Sequence, residues 1–341
     1  MTMVRLKKAH KYFIRRTILF VIIMLIALFI NFTIPRFAPG NPIGTVIAMI
    51  ERQGSRFENI QEVIDTYETM FGLKGSIPEQ FVRYLSEISK GNLGYSIRYF
   101  PVRVSTLLGR ALPFSIFLLG VSTAISWALG TVIGLFAGWK SESRLSKTFS
   151  YVALILNVVP YYMLALVLIF LLAYVMAIFP FGGAYAGTLK MDWTSIEFIK
   201  SLLYHSFLPS LSIVITSLGW WFLSIRSLIV DLKGEDFILL AEAKGLKESR
   251  IMWKHAFRNA LLPQLTMLAL SLGGVVNGSL LTEMIFSYPG LGLLLFESIA
   301  TADYTVIQGI TLIITLSVGF ATFIIDALYP LVDPRITYEE R

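Results

Sequence analysis

The sequence predicts an all-α membrane protein with six transmembrane helices and an extracytoplasmic domain between the first two of them. Its 341 residues have a mean hydropathy of +0.70, and 55% of them are hydrophobic. Charged residues make up only 15%, whereas a typical soluble domain contains about 25%. The apolar residues are grouped into runs that approach or exceed the roughly 20 residues needed to cross a bilayer. A polytopic membrane protein explains these observations better than a large soluble core does.

Composition also limits the chemistry that the chain can perform. The net charge of +7 comes from basic residues that cluster at predicted membrane edges, where they orient the spans, so we expect no nucleic-acid partner. The absence of cysteine excludes disulfides, thiol nucleophiles and thiolate metal sites. His10, His205 and His255 are far apart in the sequence, so we expect no metal site. The chain has no Gly-x-x-x-x-Gly-Lys-Ser/Thr motif, and therefore no phosphate-binding loop of its own.

The N-terminal third contains one predicted span and a long polar interval. Residues 1–16 are basic and are predicted to be cytoplasmic, and the apolar run 17–34 follows as the first span. No small-x-small cleavage site follows this run, which favours an uncleaved span over a signal peptide. Residues 35–110 form the predicted extracytoplasmic domain, with amphipathic helices at 58–71 and 78–89.

Residues 111–331 are predicted to form a five-span core, followed by a cytoplasmic tail at 332–341. The five spans are expected at residues 113–139, 149–180, 208–230, 261–286 and 306–331. Residues 181–207 are expected to form an external loop. Small residues recur along the first of these five spans, which favours close helix packing in lipid. They are Gly120, Ala124, Gly130, Gly134 and Gly138. The run 149–180 is longer than one span requires, and we expect it to be kinked or broken at Pro160.

The longest polar interval of the second half, residues 231–263, separates two predicted spans and must face water. We expect a short helix that stops at Gly245, since glycine can adopt the left-handed conformation that ends helices. A second helical run begins at Lys247. One stripe along this run comprises Ile251, His255, Arg258, Asn259 and Leu262. Such a projection, with a small-residue centre at Ala241, Ala243 and Gly245, suits a groove on a partner. Periodicity by itself favours an ordinary amphipathic loop between two spans.

The residues of this loop resemble the cytoplasmic loop of binding-protein-dependent ABC importer permeases, and most closely the dipeptide/oligopeptide branch. The resemblance rests on Ala241-Glu242-Ala243-Lys244-Gly245-Leu246, on the run from His255 to Pro263, and on their spacing. The family's loop has a Glu-Ala-Ala triplet six to four residues before the glycine. This chain has Leu239, Leu240 and Ala241 there, so only the third position matches. Further similarity at 39–42, 71–73, 91–96, 283–292 and 333–335 extends the resemblance over nearly the whole chain.

The resemblance implies a permease subunit that forms half of a translocation pathway for di- or oligopeptides delivered by an external binding protein. The implied partners are a second homologous permease, two ATPase subunits that bind ATP and Mg²⁺, an extracytoplasmic substrate-binding protein, and membrane lipid. The chain itself is then not an enzyme, holds no cofactor or metal, and lies in the cell membrane with both termini in the cytoplasm. The ATPase subunits would dock on a set of loop residues: Leu240, Ala241, Glu242, Ala243, Lys244, Gly245, Leu246, Lys247, Arg258, Asn259 and Pro263.

Seven residues are candidates for lining the pathway: Asn157, Pro160, Tyr161, Trp220, Trp221, Asn277 and Glu283. Non-helical backbone at Pro160 is tolerated at membrane depth where it lines a wet cavity, although a simple packing kink is an equal alternative. Trp220 and Trp221 point about 100° apart on a helix, so we expect them to have different environments. Glu283 is either a functional carboxylate, as membrane carboxylates often are, or a structural hydrogen-bonding partner.

Other functions stay open at this point. An oligosaccharide is an alternative substrate for the same importer role, because aromatic side chains contact sugars as well as peptides; nickel has less support from three scattered histidines. A self-contained channel or secondary transporter is a further alternative, but few charges lie in the predicted spans and no inverted repeat is evident. A membrane-embedded enzyme would need a catalytic cluster, for which Glu283 and Asp326 are the acidic candidates.

Overall fold

The computed structural model describes residues 2–37, 65, 69, 74–275 and 279–332. These residues form helices, with no β-strand among them beyond an antiparallel bridge between Tyr95 and Arg103. The helices are α1 (Thr2–Phe37), α2 (Ile77–Ser89), α3 (Val104–Trp139), α4 (Arg144–Val158), α5 (Tyr161–Leu168), α6 (Ile196–Lys233), α7 (Asp236–Ala243), α8 (Glu248–Ile251), α9 (Arg258–Gly273), α10 (Leu280–Ile285), α11 (Leu291–Ala300) and α12 (Tyr304–Val332). The predicted all-α class is therefore confirmed for the described part of the chain.

Some sequence predictions fall on residues that are not described. Only residues 65 and 69 of the predicted helix 58–71 are described, and both are helical. The motifs at 39–42 and 333–335, residues 71–73, and Asn277 lie outside the described residues.

Four helices are long and apolar enough to cross a membrane, namely Ile14–Thr33 within α1, Val104–Trp139, Ile196–Lys233 and Tyr304–Phe323 within α12. The pair Arg144–Val158 and Tyr161–Val175 is a fifth candidate, bent by 95° at its break. The second member of this pair is α5 continued by a π-helical segment, Ile169–Val175. The predicted fifth span, 261–286, is instead divided between α9, which has 16 residues, and α10, which has six. The described residues thus contain four or five candidate spans, which falls short of the predicted six.

The helix α6 begins earlier than its apolar run. The predicted external loop 181–207 ends at Ser195, whose Oγ accepts a hydrogen bond from the Phe198 N–H (3.5 Å) and so caps the helix. Glu197 in the first turn adds a favourable interaction with the helix dipole. The prediction for residues 196–207 was wrong because hydropathy locates the apolar part of a helix and not its polar first turns.

The chain divides into two compact units, Met1–Pro113 with Gly290–Arg341, and Phe114–Pro289. In the first unit the amide of Asn31 on α1 donates to the Gln308 carbonyl oxygen on α12 (3.0 Å) and to Tyr84 Oη on α2 (3.1 Å). The Thr311 hydroxyl donates to Asn31 Oδ1. One buried asparagine therefore joins the first and last helices to α2.

A buried carboxylate holds a second part of this unit together. Asp303, at the start of α12, accepts hydrogen bonds from the N–H groups of Ile97 (3.1 Å) and Arg98 (3.0 Å) and from the Ser96 hydroxyl. The turn predicted at 91–96 is confirmed by the positive φ angles of Gly91 and Gly94. Asp303 was not among the residues predicted from the sequence, since nothing local to that residue indicates a partner 205 or more positions away.

In the second unit, α3 and α6 cross at close range. The glycines in this contact are Gly130, Gly134 and Gly138. A Cβ added at Gly134 would lie 2.6 Å from the Phe222 carbonyl oxygen, and one at Gly138 would lie 2.8 Å from that of Arg226. A Cβ at Gly120 would meet nothing within 4 Å. Close packing through small residues is therefore confirmed for the second half of α3, while Gly120 takes no part in it.

Candidate functional site

The 231–263 loop folds as two helical pieces joined at a glycine. The first piece is α7, and Gly245 follows it with a φ of +69° in the left-handed region. The Gly245 N–H donates to the Glu242 carbonyl oxygen (2.8 Å), and the Leu246 N–H donates to that of Ala241 (3.3 Å). A Cβ at Gly245 would meet nothing within 4 Å. Glycine is therefore favoured at this predicted helix stop by the left-handed backbone conformation, because an added side chain would meet no steric clash there.

The second piece is a continuous helical run in which α8 leads through a π-helical segment, Met252–Phe257, into α9. Its buried residues are Ile251, Met252, Ala256, Ala260 and Gln264. The residues of the predicted stripe do not share one environment: Ile251 is buried and His255 half-buried, whereas Arg258, Asn259 and Leu262 are exposed. A π-helical turn contains more residues than an α-helical turn, so the inward positions repeat every four residues from Met252 onward.

The loop packs directly on the ends of two candidate spans. Its core is one hydrophobic cluster made by α3, α6, α7 and the second helical piece. The central members are Leu135 and Trp139 from α3, Ile225 and Ile229 from α6, Ile238 and Ala241 from α7, and Ile251, Met252, Ala256 and Ala260. Ala241 is only 5% exposed. It therefore belongs to this core and not to the exposed surface, contrary to the expected small-residue docking centre.

Polar contacts are added around this core by three side chains, Trp139, Lys233 and Glu248, which we call the Trp139 cluster. The Trp139 Nε1–H donates to Glu248 Oε1 (2.6 Å). The Lys233 Nζ donates to the Trp139 carbonyl oxygen (2.9 Å) and lies 5.2 Å from the centroid of the Trp139 ring. The cluster thereby ties the end of α3 and the end of α6 to the start of α8. This cluster was not predicted from the sequence, although Trp139 and Lys233 lie where an apolar run ends, which is where such contacts form.

The outward face of α7 carries an apolar patch formed by Phe237, Leu239 and Leu240. These side chains are 37%, 51% and 56% exposed. Exposed apolar groups that lie side by side on a polar loop are typical of a protein-interaction surface. Of the predicted docking residues, those that are exposed are Leu240, Glu242, Ala243, Lys244, Gly245, Lys247, Arg258 and Asn259, while Leu246 and Pro263 are half-buried.

The predicted break at Pro160 is confirmed. α4 ends at Val158 and α5 begins at Tyr161, and the two directions differ by 95°. Pro160 lacks an N–H and starts α5 with a compatible backbone conformation. Behind the break, α6 comes close to α4: a Cβ at Gly219 would lie 2.6 Å from the Ala153 carbonyl oxygen.

A cavity of about 370 Å³, which we call the Pro160 cavity, lies at this break. Its volume is within the range of roughly 300–1,000 Å³ that is typical of small-molecule sites. Five of the seven predicted pathway residues line it, namely Asn157, Pro160, Tyr161, Trp220 and Trp221. Trp220 is 42% exposed and Trp221 only 3%. The two indoles thus differ in environment as expected, with ring centroids 4.5 Å apart.

Glu283 is not among the residues that line this cavity. Its side chain is fully buried, and its Oε1 accepts a hydrogen bond from Ser115 Oγ (2.7 Å). Nearby, Tyr288 is buried with its hydroxyl 2.9 Å from Ser206 Oγ. These contacts favour the structural alternative for Glu283. Within the described ranges, no group of three or more His, Asp or Glu side chains is arranged to hold a metal ion.

Comparison with known proteins agrees with this architecture. Residues 130–338 match the family model described as the binding-protein-dependent transport system inner membrane component. The chain is 31% identical to the oligopeptide transport system permease protein AppB of Bacillus subtilis, over 96% of this chain and 99% of that protein. It is 30% identical to OppB of Haemophilus influenzae, an oligopeptide transport system permease protein, over 90% and 93% of the two chains. It is 29% identical to the dipeptide transport system permease protein DppB of Lactococcus lactis, over 96% and 99%.

A solved structure shares the fold. The inward-facing MetNI methionine ABC transporter superposes with a TM-score of 0.53 at 15% identity, over 67% of this chain and 97% of that chain. The family match includes both the 231–263 loop and the Pro160 break. The resemblance seen in the loop is confirmed, and the chain belongs to the binding-protein-dependent transport system inner membrane component family.

Proposed function

We propose that this chain is one permease subunit of an ATP-driven ABC importer that takes up di- or oligopeptides. The observation that carries the proposal is the exposed patch of Phe237, Leu239 and Leu240 on a loop whose core is shared with α3 and α6. A partner bound to this patch would contact a loop that packs against two candidate spans, α3 and α6. The relatives named as oligopeptide and dipeptide transport permeases support peptide as the substrate class.

In the proposed topology the chain crosses the membrane six times, with α9 and α10 together forming the fifth crossing. Both termini and the 231–263 loop face the cytoplasm, and residues 35–110 are extracytoplasmic. The distribution of basic residues supports this orientation. Lys140, Arg144 and Lys147 lie between α3 and the middle of α4, on the side of the loop, whereas residues 287–304 contain no Lys or Arg.

Two ATPase subunits would bind the exposed loop residues and hold the ATP and Mg²⁺, so that this chain needs no cofactor of its own. A second, homologous permease would supply the other half of the pathway. An extracytoplasmic binding protein would deliver the peptide to the opposite face.

The mechanism follows from how the loop is attached. Closure of the ATPase pair on ATP would displace the apolar patch, and the shared core would carry that displacement into α3 and α6. On α6, Ile225 and Ile229 belong to this core, while Trp220 and Trp221 line the Pro160 cavity. The transporter is then a two-state system that ATP biases from one side and loaded binding protein from the other.

The proposal is tested by purifying the tagged chain gently from its native membrane and reconstituting what co-purifies into proteoliposomes with the binding protein. We expect two ATPase-type subunits, a second permease, and ATP-dependent accumulation of labelled peptide. Leu240→Asp should release the ATPase subunits, whereas Leu240→Met, which keeps the surface apolar, should retain them. Peptide entry through the chain alone without ATP would support a channel or carrier instead. Accumulation of an oligosaccharide in place of peptide would favour the alternative substrate.

A further inference from the structure

We infer that an anionic phospholipid binds where the 231–263 loop meets the bilayer, on a site of two aromatic and two basic side chains. These four residues, which we call the Trp253 site, are Phe136, Lys140, Trp253 and Lys254. The inference goes beyond the proposed function, because it concerns how the loop contacts the membrane and holds for any substrate. A lipid would then be a partner of the loop in addition to the ATPase subunits.

The helix α3 carries different residues on its two sides. One side has the glycines that pack against α6. With about 3.6 residues per turn, the opposite side presents large apolar side chains that are each 42–50% exposed. They are Ile125, Leu129, Val132 and Phe136. Contacts between membrane helices favour small residues, so a stripe of large apolar side chains suits the acyl chains of lipid better than a second helix.

Trp253 of the loop continues this apolar stripe. Its ring meets that of Phe136 edge to face, with centroids 5.9 Å apart and planes at 81°. It also contacts Phe257 (5.2 Å), and yet Trp253 is 42% exposed. Tryptophan is enriched where membrane meets water, because its ring is apolar and its N–H is polar. The pair of Phe136 and Trp253 therefore marks the level at which acyl chains give way to headgroups.

Two lysines supply positive charge at this level. The Lys140 N–H donates to the Phe136 carbonyl oxygen (3.1 Å), so Lys140 lies one turn beyond Phe136 on the same side of α3. Lys254 follows Trp253 directly in the chain, and both lysines are exposed. A lysine can lay its methylene groups along apolar surface while its ammonium group reaches the headgroups. This arrangement complements a phospholipid with a net negative charge, such as phosphatidylglycerol.

The carboxylates nearest to these lysines in the sequence are bound to other groups. Glu142 pairs with Lys147 (2.9 Å), and Glu248 accepts the Trp139 Nε1–H (2.6 Å). Neither lysine of the Trp253 site forms an ion pair within the part of the chain that the structure describes. Both charges are therefore available to a lipid phosphate.

The test uses the complete transporter in vesicles of phosphatidylglycerol and phosphatidylcholine, in which one lipid or the other has brominated acyl chains that quench tryptophan fluorescence. The quenching that is lost in Trp253→Phe reports lipid at the site, and the ratio for the two brominated lipids gives the preference for negative charge. Lys140→Gln and Lys254→Gln each remove one charge. Lys244→Gln is the matched control, because Lys244 is exposed on the same loop but belongs to its first helical piece.

We expect the wild type to prefer phosphatidylglycerol by more than tenfold. Each lysine variant of the site should reduce this preference by about fivefold, which is the contribution of one lysine near an anionic membrane surface. Lys244→Gln should keep the wild-type ratio. Equal quenching by the two lipids in the wild type would overturn the inference, as would a preference that falls equally in all three variants. Absence of quenching at Trp253 would also overturn it, by showing that a protein subunit covers the site.

A second measurement needs no tryptophan substitution. Phospholipid retained by the purified complex is extracted and quantified by mass spectrometry, and the two site variants should retain less phosphatidylglycerol than the wild type and Lys244→Gln. Equal retention in all four proteins would contradict the inference. Neither measurement involves uptake of substrate, so a negative result leaves the proposed importer function intact.

Discussion

The 231–263 loop and the Pro160 cavity lie against the same helix, yet they are built in opposite ways. At the loop, α6 contributes Ile225 and Ile229 to a dry, closely packed cluster. One turn away, Trp221 and its neighbours border an open space lined by hydroxyl and amide groups. Packed interiors transmit displacement because they deform little, whereas the residues around the cavity leave an open space between them. One helix thus joins a closely packed region to an open, polar one.

The largest effect should come from placing a charge in the packed region. Ala241→Arg buries a guanidinium among apolar side chains with no partner, which should destabilise the loop by about 3–5 kcal/mol. Ala243→Arg is the matched control, since Ala243 lies two residues away and is exposed. Limited proteolysis of the purified protein should cut the 231–263 loop in the first variant and spare it in the second. Equal protection of both would show that Ala241 is not part of the core.

A smaller effect is expected where α3 and α6 cross between the two regions. Gly134→Ala places a methyl group 2.6 Å from the Phe222 carbonyl oxygen, and the helices must separate at a cost of about 1–3 kcal/mol. Gly120→Ala adds the same methyl group where nothing lies within 4 Å. Thermal denaturation in detergent should give a lower Tm for Gly134→Ala only. A lower Tm in both variants would indicate that helix propensity or lipid contact, and not interhelical packing, causes the decrease.

A substitution in the Trp139 cluster tests whether polar contacts, in addition to packing, hold the loop rigid. Trp139→Phe replaces the indole by a smaller aromatic ring and removes the N–H that donates to Glu248, a loss of about 1.5 kcal/mol for a hydrogen bond to a charged group. Amide exchange in Glu248–Ile251 should accelerate by roughly tenfold. Trp193→Phe serves as the control, because Trp193 makes ring contacts with Phe114 and Phe198, which belong to a separate hydrophobic cluster. Unchanged exchange in Trp139→Phe would assign the rigidity to the apolar cluster alone.

The smallest effect is expected at the corner of the loop. Gly245→Ala forces an L-residue into a φ of +69°, which costs about 1 kcal/mol although space is available. Gly187→Ala is the comparison, since a Cβ there also meets nothing within 4 Å and its φ is not in the left-handed region. Hydrogen exchange at Gly245 and Leu246 reports the local opening. A variant as protected as the wild type would mean that the second helical piece alone sets the chain direction.

Local sequence patterns predicted much of this architecture. The helix stop at Gly245, the break at Pro160 and the close approach at Gly134 depend on properties of single residues, namely a missing side chain or a missing N–H. The apolar runs predicted the positions of four candidate spans, because a segment that crosses a membrane must be both long and hydrophobic. The inward face of the second helical piece was not predicted, since a π-helical segment changes the repeat and leaves no sequence pattern of its own.

The sequence alone thus predicts the helical membrane class, the family and the positions where helices stop or break. Which side chains meet is visible only in the folded chain: Ala241 lies inside a core, Glu248 accepts from Trp139, and Glu283 accepts from Ser115. The five predicted pathway residues that line the Pro160 cavity come from two stretches some 60 positions apart, and only packing brings them to one surface. The physical reason is that backbone conformation depends on neighbours in the chain, whereas burial and hydrogen bonding depend on neighbours in space.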